Sequence, residues 1–148
     1  MIGSHRYLSQ ETSEISFRSY MRENAPQFTL LEPVVNLDDH QLCYEAVIDL
    51  VTSHPDLVGI YCCGGGEEGL VRALREEARG RRIVTVCNEL TPVTRQALID
   101  GVIDLVLGTP VPALAQRTVE VMAQAVSEPQ RGMTQVLLPA DLYISENI

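Results

Sequence analysis

One stretch of the chain reads Gly59-Ile-Tyr-Cys-Cys-Gly-Gly-Gly-Glu-Glu-Gly69, a short apolar run that ends in glycines and leads into a helical pattern. Two further stretches repeat this arrangement, Arg82-Ile-Val-Thr-Val-Cys-Asn-Glu-Leu-Thr-Pro92 and Ile103-Asp-Leu-Val-Leu-Gly-Thr-Pro110. Strands that alternate with helices in this way form a parallel sheet with right-handed crossovers. We therefore predict an α/β fold with a doubly wound, mostly parallel open sheet and helices on both faces. The strand ends meet at one edge, where open α/β sheets bind ligands.

The segments before the first of these strands also carry structural signals. Apolar residues spaced along residues 12–24 predict an amphipathic helix, and residues 28–35 read as a first strand with Pro33 near an edge or a bulge. Asp38 is the expected N-cap of a helix that ends near Ser53, because Gln41 follows three residues later.

The later segments complete the alternation. Residues 67–79 predict a helix closed by Gly80, and Thr91 with Pro92 predicts the start of the next helix. Residues 112–126 predict a helix with an apolar stripe facing inward, and short extended pieces follow at 135–138 and 142–144. That stripe comprises Leu114, Ala115, Val119, Met122 and Val126.

Composition excludes several classes of function. The 20 acidic residues outnumber the 11 Lys and Arg, and the formal charge of −9 opposes direct contact with nucleic acid or with an anionic membrane surface. No apolar run is long enough to span a bilayer, and the first residues lack a signal peptide's apolar core, so we expect a cytoplasmic protein. The 148 residues are expected to form one subdomain, with the four cysteines as free thiols.

The glycine-rich loop Gly64–Gly69 fits the dinucleotide fingerprint G-x-G-x-x-G after a strand, and Glu89 follows about 20 residues later. Glu67 and Glu68 lie where a pyrophosphate would meet the helix N-terminus, and their charge repels phosphate. A nucleotide-binding enzyme that uses this loop is one alternative function. The other interpretation is a glycine-rich turn that lets the backbone approach a neutral ligand or pack closely.

Catalytic and metal signals are weak. Cys62 and Cys63 precede a helix N-terminus, which lowers the pKa of some thiols, but Glu68 stands where a phosphatase-type loop would carry its Arg. His5, His40 and His54 lack metal-binding spacing. We expect no catalysis, no metal and no cofactor.

The order of motifs resembles the C-terminal subdomain of the sugar-binding region of the lac repressor family, a fold shared with periplasmic sugar-binding proteins. The resemblance rests on Glu67-Glu-Gly-Leu-Val-Arg-Ala-Leu-Arg-Glu-Glu77, on Asn88-Glu-Leu-Thr-Pro92 and on Arg95-Gln-Ala-Leu-Ile-Asp-Gly-Val-Ile-Asp-Leu-Val-Leu-Gly-Thr-Pro110. It extends to the terminal Val136-Leu-Leu-Pro-Ala-Asp-Leu-Tyr-Ile-Ser-Glu-Asn-Ile148 and covers nearly the whole chain.

The resemblance implies a non-catalytic subdomain that binds a small effector, in this family a carbohydrate, and forms a dimer. It also implies that a longer regulator reaches operator DNA through an N-terminal domain outside this chain. A solute-binding protein of a sugar transporter has the same fold and is the first alternative. The nucleotide-binding enzyme described above is the second.

Two arguments give the candidate ligand-binding residues. Convergence of the strand ends brings Cys63, Asn88, Glu89 and Gly108 to one cleft. The resemblance carries the family's ligand positions onto four places in this chain, with Arg6 as a substitute guanidinium. Those places are Glu11, Cys62 or Cys63, Asn88 and Gly108, where the family usually has Arg, Asn, Asp and Gln.

Overall fold

The computed structural model describes residues 1–78, 80–128, 132 and 135–148. These residues form an α/β fold of five helices and four strands. The helices are α1 (Leu8–Asn24), α2 (His40–Ser53), α3 (Glu67–Glu77), α4 (Pro92–Ile99) and α5 (Val111–Ser127). The strands are β1 (Gly59–Cys62), β2 (Val84–Asn88), β3 (Leu105–Gly108) and β4 (Asp141–Tyr143). Arg79, the predicted end of the third helix, lies outside the described residues.

The sheet confirms the predicted fold class. Its strand order is β1-β2-β3-β4, with β1, β2 and β3 parallel and β4 antiparallel to β3. Cys62 pairs with Cys87, and Asn88 pairs with Leu107, so the carboxyl ends of the parallel strands lie at one edge. That edge is the place where the sequence predicts a ligand.

The core lies between the sheet and helices α2, α3 and α4. Alternate strand residues, among them Ile60, Cys62, Cys87 and Val106, point toward these helices and are buried. Phe17 of α1 contacts Tyr61 on the other face, with ring centroids 5.2 Å apart. Helices therefore lie on both faces, and the alternation of buried and half-exposed residues follows from the period of two in a strand.

The predicted first strand over 28–35 is wrong. Only Val35 pairs, through an isolated parallel bridge to Ile2. Pro33 has no N–H to donate to a ladder, and the carbonyl of Leu31 instead accepts a hydrogen bond from the Arg18 guanidinium at 3.3 Å. The segment is mostly irregular for this reason.

The predicted N-cap is also wrong by one residue. Asp39 caps α2, and its carboxylate accepts a hydrogen bond from the Leu42 amide at 2.8 Å. Asp38 has a positive φ of 56° and turns its carboxylate away from the helix, onto the Gly65 amide at 2.7 Å. The local pattern assigns the Asp38 side chain to the helix cap, but in the fold this side chain accepts a long-range hydrogen bond instead.

Helix α5 forms where predicted, but its stripe does not face inward. None of its residues is buried, and Val119, Met122 and Val126 are 67%, 63% and 84% exposed. An apolar helix face gains stability only when another element covers it. The five residues predicted to face inward are Leu114, Ala115, Val119, Met122 and Val126, and all of them lie on this uncovered helix.

Within the described part of the chain, no helix is long and apolar enough to cross a membrane.

Candidate functional site

An open cavity of about 280 Å³ lies at the carboxyl ends of β1, β2 and β3. Residues from three strand ends, from α1 and from the segment before β4 line it. They are Ser13, Tyr61, Asn88, Glu89, Leu107, Gly108, Thr109, Pro110, Leu138 and Ala140. This is the edge that the parallel topology predicts for a ligand.

A hydrogen-bonded pair spans the strand ends at one side of the cavity. The Tyr61 hydroxyl donates to Asn88 Oδ1 at 3.1 Å, and Asn88 Nδ2 donates to the Cys63 carbonyl at 3.4 Å. Burial raises the pKa of Tyr61, while its hydrogen bonds with Ser13 and Asn88 act in the opposite direction. The phenol is therefore neutral at physiological pH and serves as a hydrogen-bonding group.

Glu89 supplies the cavity's carboxylate. Its backbone has a positive φ of 66°, and its amide donates to the Leu107 carbonyl at 2.8 Å. Thr109 donates its hydroxyl to Glu89 Oε1 at 2.6 Å and its amide to Oε2 at 3.3 Å. A non-glycine residue in this conformation is strained, and such strain is found at functional sites. The carboxylate is thus fixed at the sheet edge while remaining exposed.

The structure brings three of the predicted residues together, because Asn88, Glu89 and Gly108 all line the cavity. Arg6 is exposed and Glu11 is half-buried, and neither lines it. Whether any of these residues binds a ligand stays a prediction.

The two cysteines at the end of β1 do not line the cavity either. Cys62 points into the core, and its thiol lies 3.6 Å from the Gly64 carbonyl. The Cys63 thiol lies 3.5 Å from the Met1 carbonyl and 3.6 Å from the Gln10 carbonyl, and burial raises its pKa. A raised thiol pKa does not suit a nucleophile at neutral pH. Only the backbone carbonyl of Cys63 contacts the site, through Asn88.

Sequence reasoning missed several lining residues. Tyr61 precedes the predicted strand end, but period-two alternation places it on the same face as Cys63, which was one available signal. Thr109 and Pro110 directly follow the last residue of β3, so strand-end position was a second signal. Ser13 reaches the cavity from α1, and no pattern in the sequence indicates that packing.

Gly108 is explained by its neighbour rather than by a ligand. A Cβ built at this position would lie 2.6 Å from Cε2 of the Tyr143 ring on β4. The missing side chain therefore leaves room for Tyr143 where β3 and β4 pair. A larger residue here requires the ring to move.

The glycine-rich loop is filled by the chain itself. The Gly65 amide already donates a hydrogen bond to the Asp38 carboxylate, and a Cβ on Gly65 would lie 3.0 Å from Asp38 Cβ. Gly66 and Gly69 lie against Cys43 and the backbone of Tyr44, so they allow α3 to approach α2 closely. A phosphate would have to displace Asp38 and meet Glu67 and Glu68. This geometry gives the nucleotide-binding alternative no support.

Among the described residues, no group of three or more His, Cys, Asp or Glu side chains is arranged to hold a metal ion. A second cavity of about 180 Å³ lies at the opposite edge of the sheet, where Arg82 and Gly101 are among the lining residues. Arg82 is paired with Asp104, which neutralises its charge there.

Comparison with known proteins supports the fold. Three solved structures resemble the chain at 16%, 15% and 21% identity, with TM-scores of 0.85, 0.84 and 0.76. They are the sugar-binding protein of a sugar ABC transporter from Bacillus halodurans, an arabinose-binding protein from Geobacillus stearothermophilus, and a transporter solute-binding protein from Agrobacterium vitis bound to α-D-tagatopyranose. The comparisons cover 99%, 99% and 93% of this chain but 54%, 53% and 46% of those proteins, so the chain spans about half their length.

A comparison with curated protein sequences finds no significant match. Residues 3–130 match a family model described as a periplasmic binding protein domain. Because this match covers most of the chain, the protein belongs to the family of periplasmic binding protein domains.

Proposed function

We propose that the chain is one lobe of a two-lobed carbohydrate-binding protein and binds a sugar at the cavity formed by Tyr61, Asn88, Glu89 and Thr109. One observation carries the proposal. A fixed carboxylate and a carboxamide lie side by side at the carboxyl edge of the sheet, in a cavity that is open to solvent. Two similar structures are described as transporter solute-binding proteins, one with bound D-fucose and one in complex with D-arabinose.

The chemistry of the cavity suits vicinal hydroxyl groups. A carboxylate accepts about four hydrogen bonds, and Thr109 uses one on each Glu89 oxygen, so both oxygens can accept from sugar hydroxyls. The second N–H of Asn88 is available to donate to a sugar oxygen, since its known bonds engage Tyr61 and Cys63. Hydrogen bonds to a charged group contribute about 1.5–3 kcal/mol each, which makes Glu89 the principal anchor.

The second lobe is inferred from the exposed apolar surface of α5. None of its residues is buried, whereas α2 and α3 are well packed in the same chain. The similar solved proteins are about twice as long as this chain. We therefore place the partner lobe over α5 and across the cavity. Alone, this chain leaves the ligand half-solvated, and its affinity is expected to be on the order of millimolar.

For the role of the whole protein, the similar structures support solute transport better than transcriptional regulation. The similar structures are mainly described as transporter binding proteins. A lac-repressor-type regulator, its dimer and its DNA-binding domain are expectations from the sequence alone. We therefore propose solute capture for transport as the leading role.

Ligand-observed NMR on the isolated chain tests the sugar site. Saturation transfer to D-fucose, D-arabinose, D-tagatose and D-galactose is expected for at least one sugar at millimolar concentration. Glu89→Gln removes the charge and is expected to weaken that binding about 10-fold or more, since a charged hydrogen bond is lost. Glu146→Gln removes a charge from an exposed site away from the cavity and provides the matched control.

Two results contradict the proposal. One is the absence of saturation transfer to every sugar in the panel. The other is an equal loss of binding in both Glu variants, which would indicate a general effect of charge rather than a site at Glu89.

A further inference from the structure

The cavity at the carboxyl edge of the sheet carries a negative charge. Its charged side chain is Glu89, and among the described residues no Lys, Arg or His lines the cavity. Thr109 donates a hydroxyl and an amide to the Glu89 carboxylate, and both of these donors are uncharged. No ion pair within the described residues includes Glu89. The carboxylate is therefore hydrogen-bonded and exposed, but its charge is not neutralised there.

A second carboxylate lies beside the cavity. Asp141 begins β4, pairs with Gly108 and directly follows Ala140, and both of these neighbours line the cavity. The side chain of Asp141 accepts a hydrogen bond from the neutral Tyr143 hydroxyl at 3.3 Å, and the residue is exposed. Two carboxylates at one edge create a local potential that attracts cations and repels anions.

The arginines of the flanking helices do not balance these charges. Arg18 of α1 donates to Glu14 at 2.8 Å, and Arg117 of α5 donates to Glu120 at 2.6 Å. Arg95 of α4 is exposed and does not line the cavity. In the described part of the chain, a negatively charged ligand therefore meets no cationic side chain at this edge.

Helices α4 and α5 begin at the same edge, and free N–H groups at a helix N-terminus can bind an anion. Few such groups are free here. Pro110 and Pro112 at the start of α5 have no N–H, nor does Pro92 at the start of α4. The N–H of Val111 donates to the Thr109 carbonyl at 2.8 Å. These two helix N-termini are therefore poorly equipped to bind a phosphate or a carboxylate.

We infer that the cavity binds an amino sugar, with its ammonium group on Glu89, in preference to neutral sugars, sugar acids and sugar phosphates. This inference rests on the proposed sugar site and names the class of its ligand. An ammonium group has N–H donors only, and each Glu89 oxygen can accept another hydrogen bond beside that from Thr109. A sugar acid or phosphate brings a like charge to the same place, which is a repulsive basis for specificity.

A series of galactose derivatives tests the inference on the full chain. D-Galactose, D-galactosamine and N-acetyl-D-galactosamine carry a hydroxyl, an ammonium and a neutral amide at the same carbon, so their comparison isolates the charge. D-Galacturonate adds the opposite charge. Dissociation constants are measured by ligand-observed NMR at pH 6, where the sugar amine is protonated, since amines beside electron-withdrawing groups titrate near about 8.

D-Galactosamine is expected to bind about threefold to fivefold more tightly than D-galactose, the gain of one exposed ion pair. N-Acetyl-D-galactosamine is expected to bind no more tightly than D-galactose, and D-galacturonate more weakly. Glu89→Gln is expected to bring the dissociation constants of D-galactosamine and D-galactose to within about twofold of each other. Glu146→Gln removes an exposed charge away from the cavity and is expected to keep the preference.

Three results would overturn the inference. They are equal binding of D-galactosamine and D-galactose by the wild-type chain, tightest binding of D-galacturonate, and a preference for D-galactosamine that remains in Glu89→Gln. The last result would assign the preference to the overall charge of −9. The ranking of the four ligands uses the wild-type chain, so the test stands even if Glu89→Gln fails to fold.

Failure of the inference and failure of the proposed function give different results. Binding of D-galactose that depends on Glu89, with no preference for D-galactosamine, overturns the inference and leaves the sugar site in place. Absence of binding by all four ligands overturns both.

Discussion

Thr109 holds both carboxylate oxygens of Glu89, with its hydroxyl 2.6 Å from Oε1 and its amide 3.3 Å from Oε2. The contact joins the end of β2 to the residue after β3, so it fixes the carboxylate relative to the cavity. A fixed carboxylate binds a ligand without losing side-chain freedom at that moment.

Thr109→Val tests this positioning. The hydroxyl donor is lost while the amide contact and the side-chain shape remain, so sugar binding is expected to weaken about threefold to tenfold. Stability is expected to change by less than about 1 kcal/mol, because Thr109 is exposed. The matched control is Thr118→Val, whose hydroxyl bonds only to its own helix at the Leu114 carbonyl. Equal binding by wild type and Thr109→Val would show that the contact does not matter for the ligand.

Gly108→Ala tests the packing of β3 against β4. The new Cβ would lie 2.6 Å from the Tyr143 ring, so we expect a loss of about 1–3 kcal/mol in the free energy of unfolding. Gly59→Ala is the control, since its Cβ would lie 3.4 Å from the Val84 carbonyl, an ordinary contact. Urea unfolding measures both variants, and an unchanged midpoint for Gly108→Ala would contradict the account of this glycine.

Asp38→Ala tests whether the glycine-rich loop serves internal packing rather than phosphate binding. It leaves the Gly65 amide without the acceptor at 2.7 Å, and an unpaired amide costs about 1–3 kcal/mol. Asp56→Ala removes an exposed carboxylate from the turn before β1 and is expected to change stability by less than about 0.5 kcal/mol. Thermal unfolding compares the two variants. A nucleotide that stabilises the wild-type chain would show instead that the loop is open to phosphate.

Alkaline pH is expected to destabilise the fold through Cys87. Burial raises the pKa of this thiol from 9.0 to about 12, so its stabilising effect is complete below pH 9 and is lost as pH rises toward 12. Between pH 9 and 11, one such thiol steepens the fall by up to about 1.4 kcal/mol per pH unit. Urea unfolding of wild type and Cys87→Ala under reducing conditions measures the slopes. Parallel slopes would rule out this contribution.

Much of the fold follows from local pattern. Short apolar runs ending in Gly or Pro predict β1, β2 and β3, and Thr91 with Pro92 predicts the start of α4, where Thr91 accepts from the Thr94 amide at 3.2 Å. These signals depend on residues that are close in sequence, so tertiary contacts do not change the elements that they predict. Asp38 shows the limit of prediction from local pattern, because its carboxylate accepts a hydrogen bond from Gly65, which is far away in sequence.

The uncovered face of α5 shows a second limit. Periodicity tells which residues share a helix face, but it does not tell which element covers that face. The site shows the same limit. Strand ends predict Asn88, Glu89 and Gly108, whereas Ser13 reaches the cavity through the packing of α1, which depends on tertiary structure.

Substitutions on α5 test its exposed stripe. Met122→Gln and Val126→Gln replace side chains that are 63% and 84% exposed, so the stability of the isolated chain is expected to change by less than about 0.5 kcal/mol. Self-association at high concentration, measured by sedimentation, is expected to decrease because apolar surface is lost. A loss of stability above about 1 kcal/mol would show that α5 packs against this lobe.

The most direct test of the central claim is a titration of the ¹⁵N-labelled chain with D-fucose and D-arabinose, followed by amide NMR. The account predicts saturable shifts in the millimolar range, confined to the amides of Tyr61, Asn88, Glu89 and Thr109 and their neighbours. Gly101 at the opposite cavity serves as the internal reference and is expected not to move. No saturable shift with either sugar, or shifts centred on Gly101, would contradict a carbohydrate site at the carboxyl edge of the sheet.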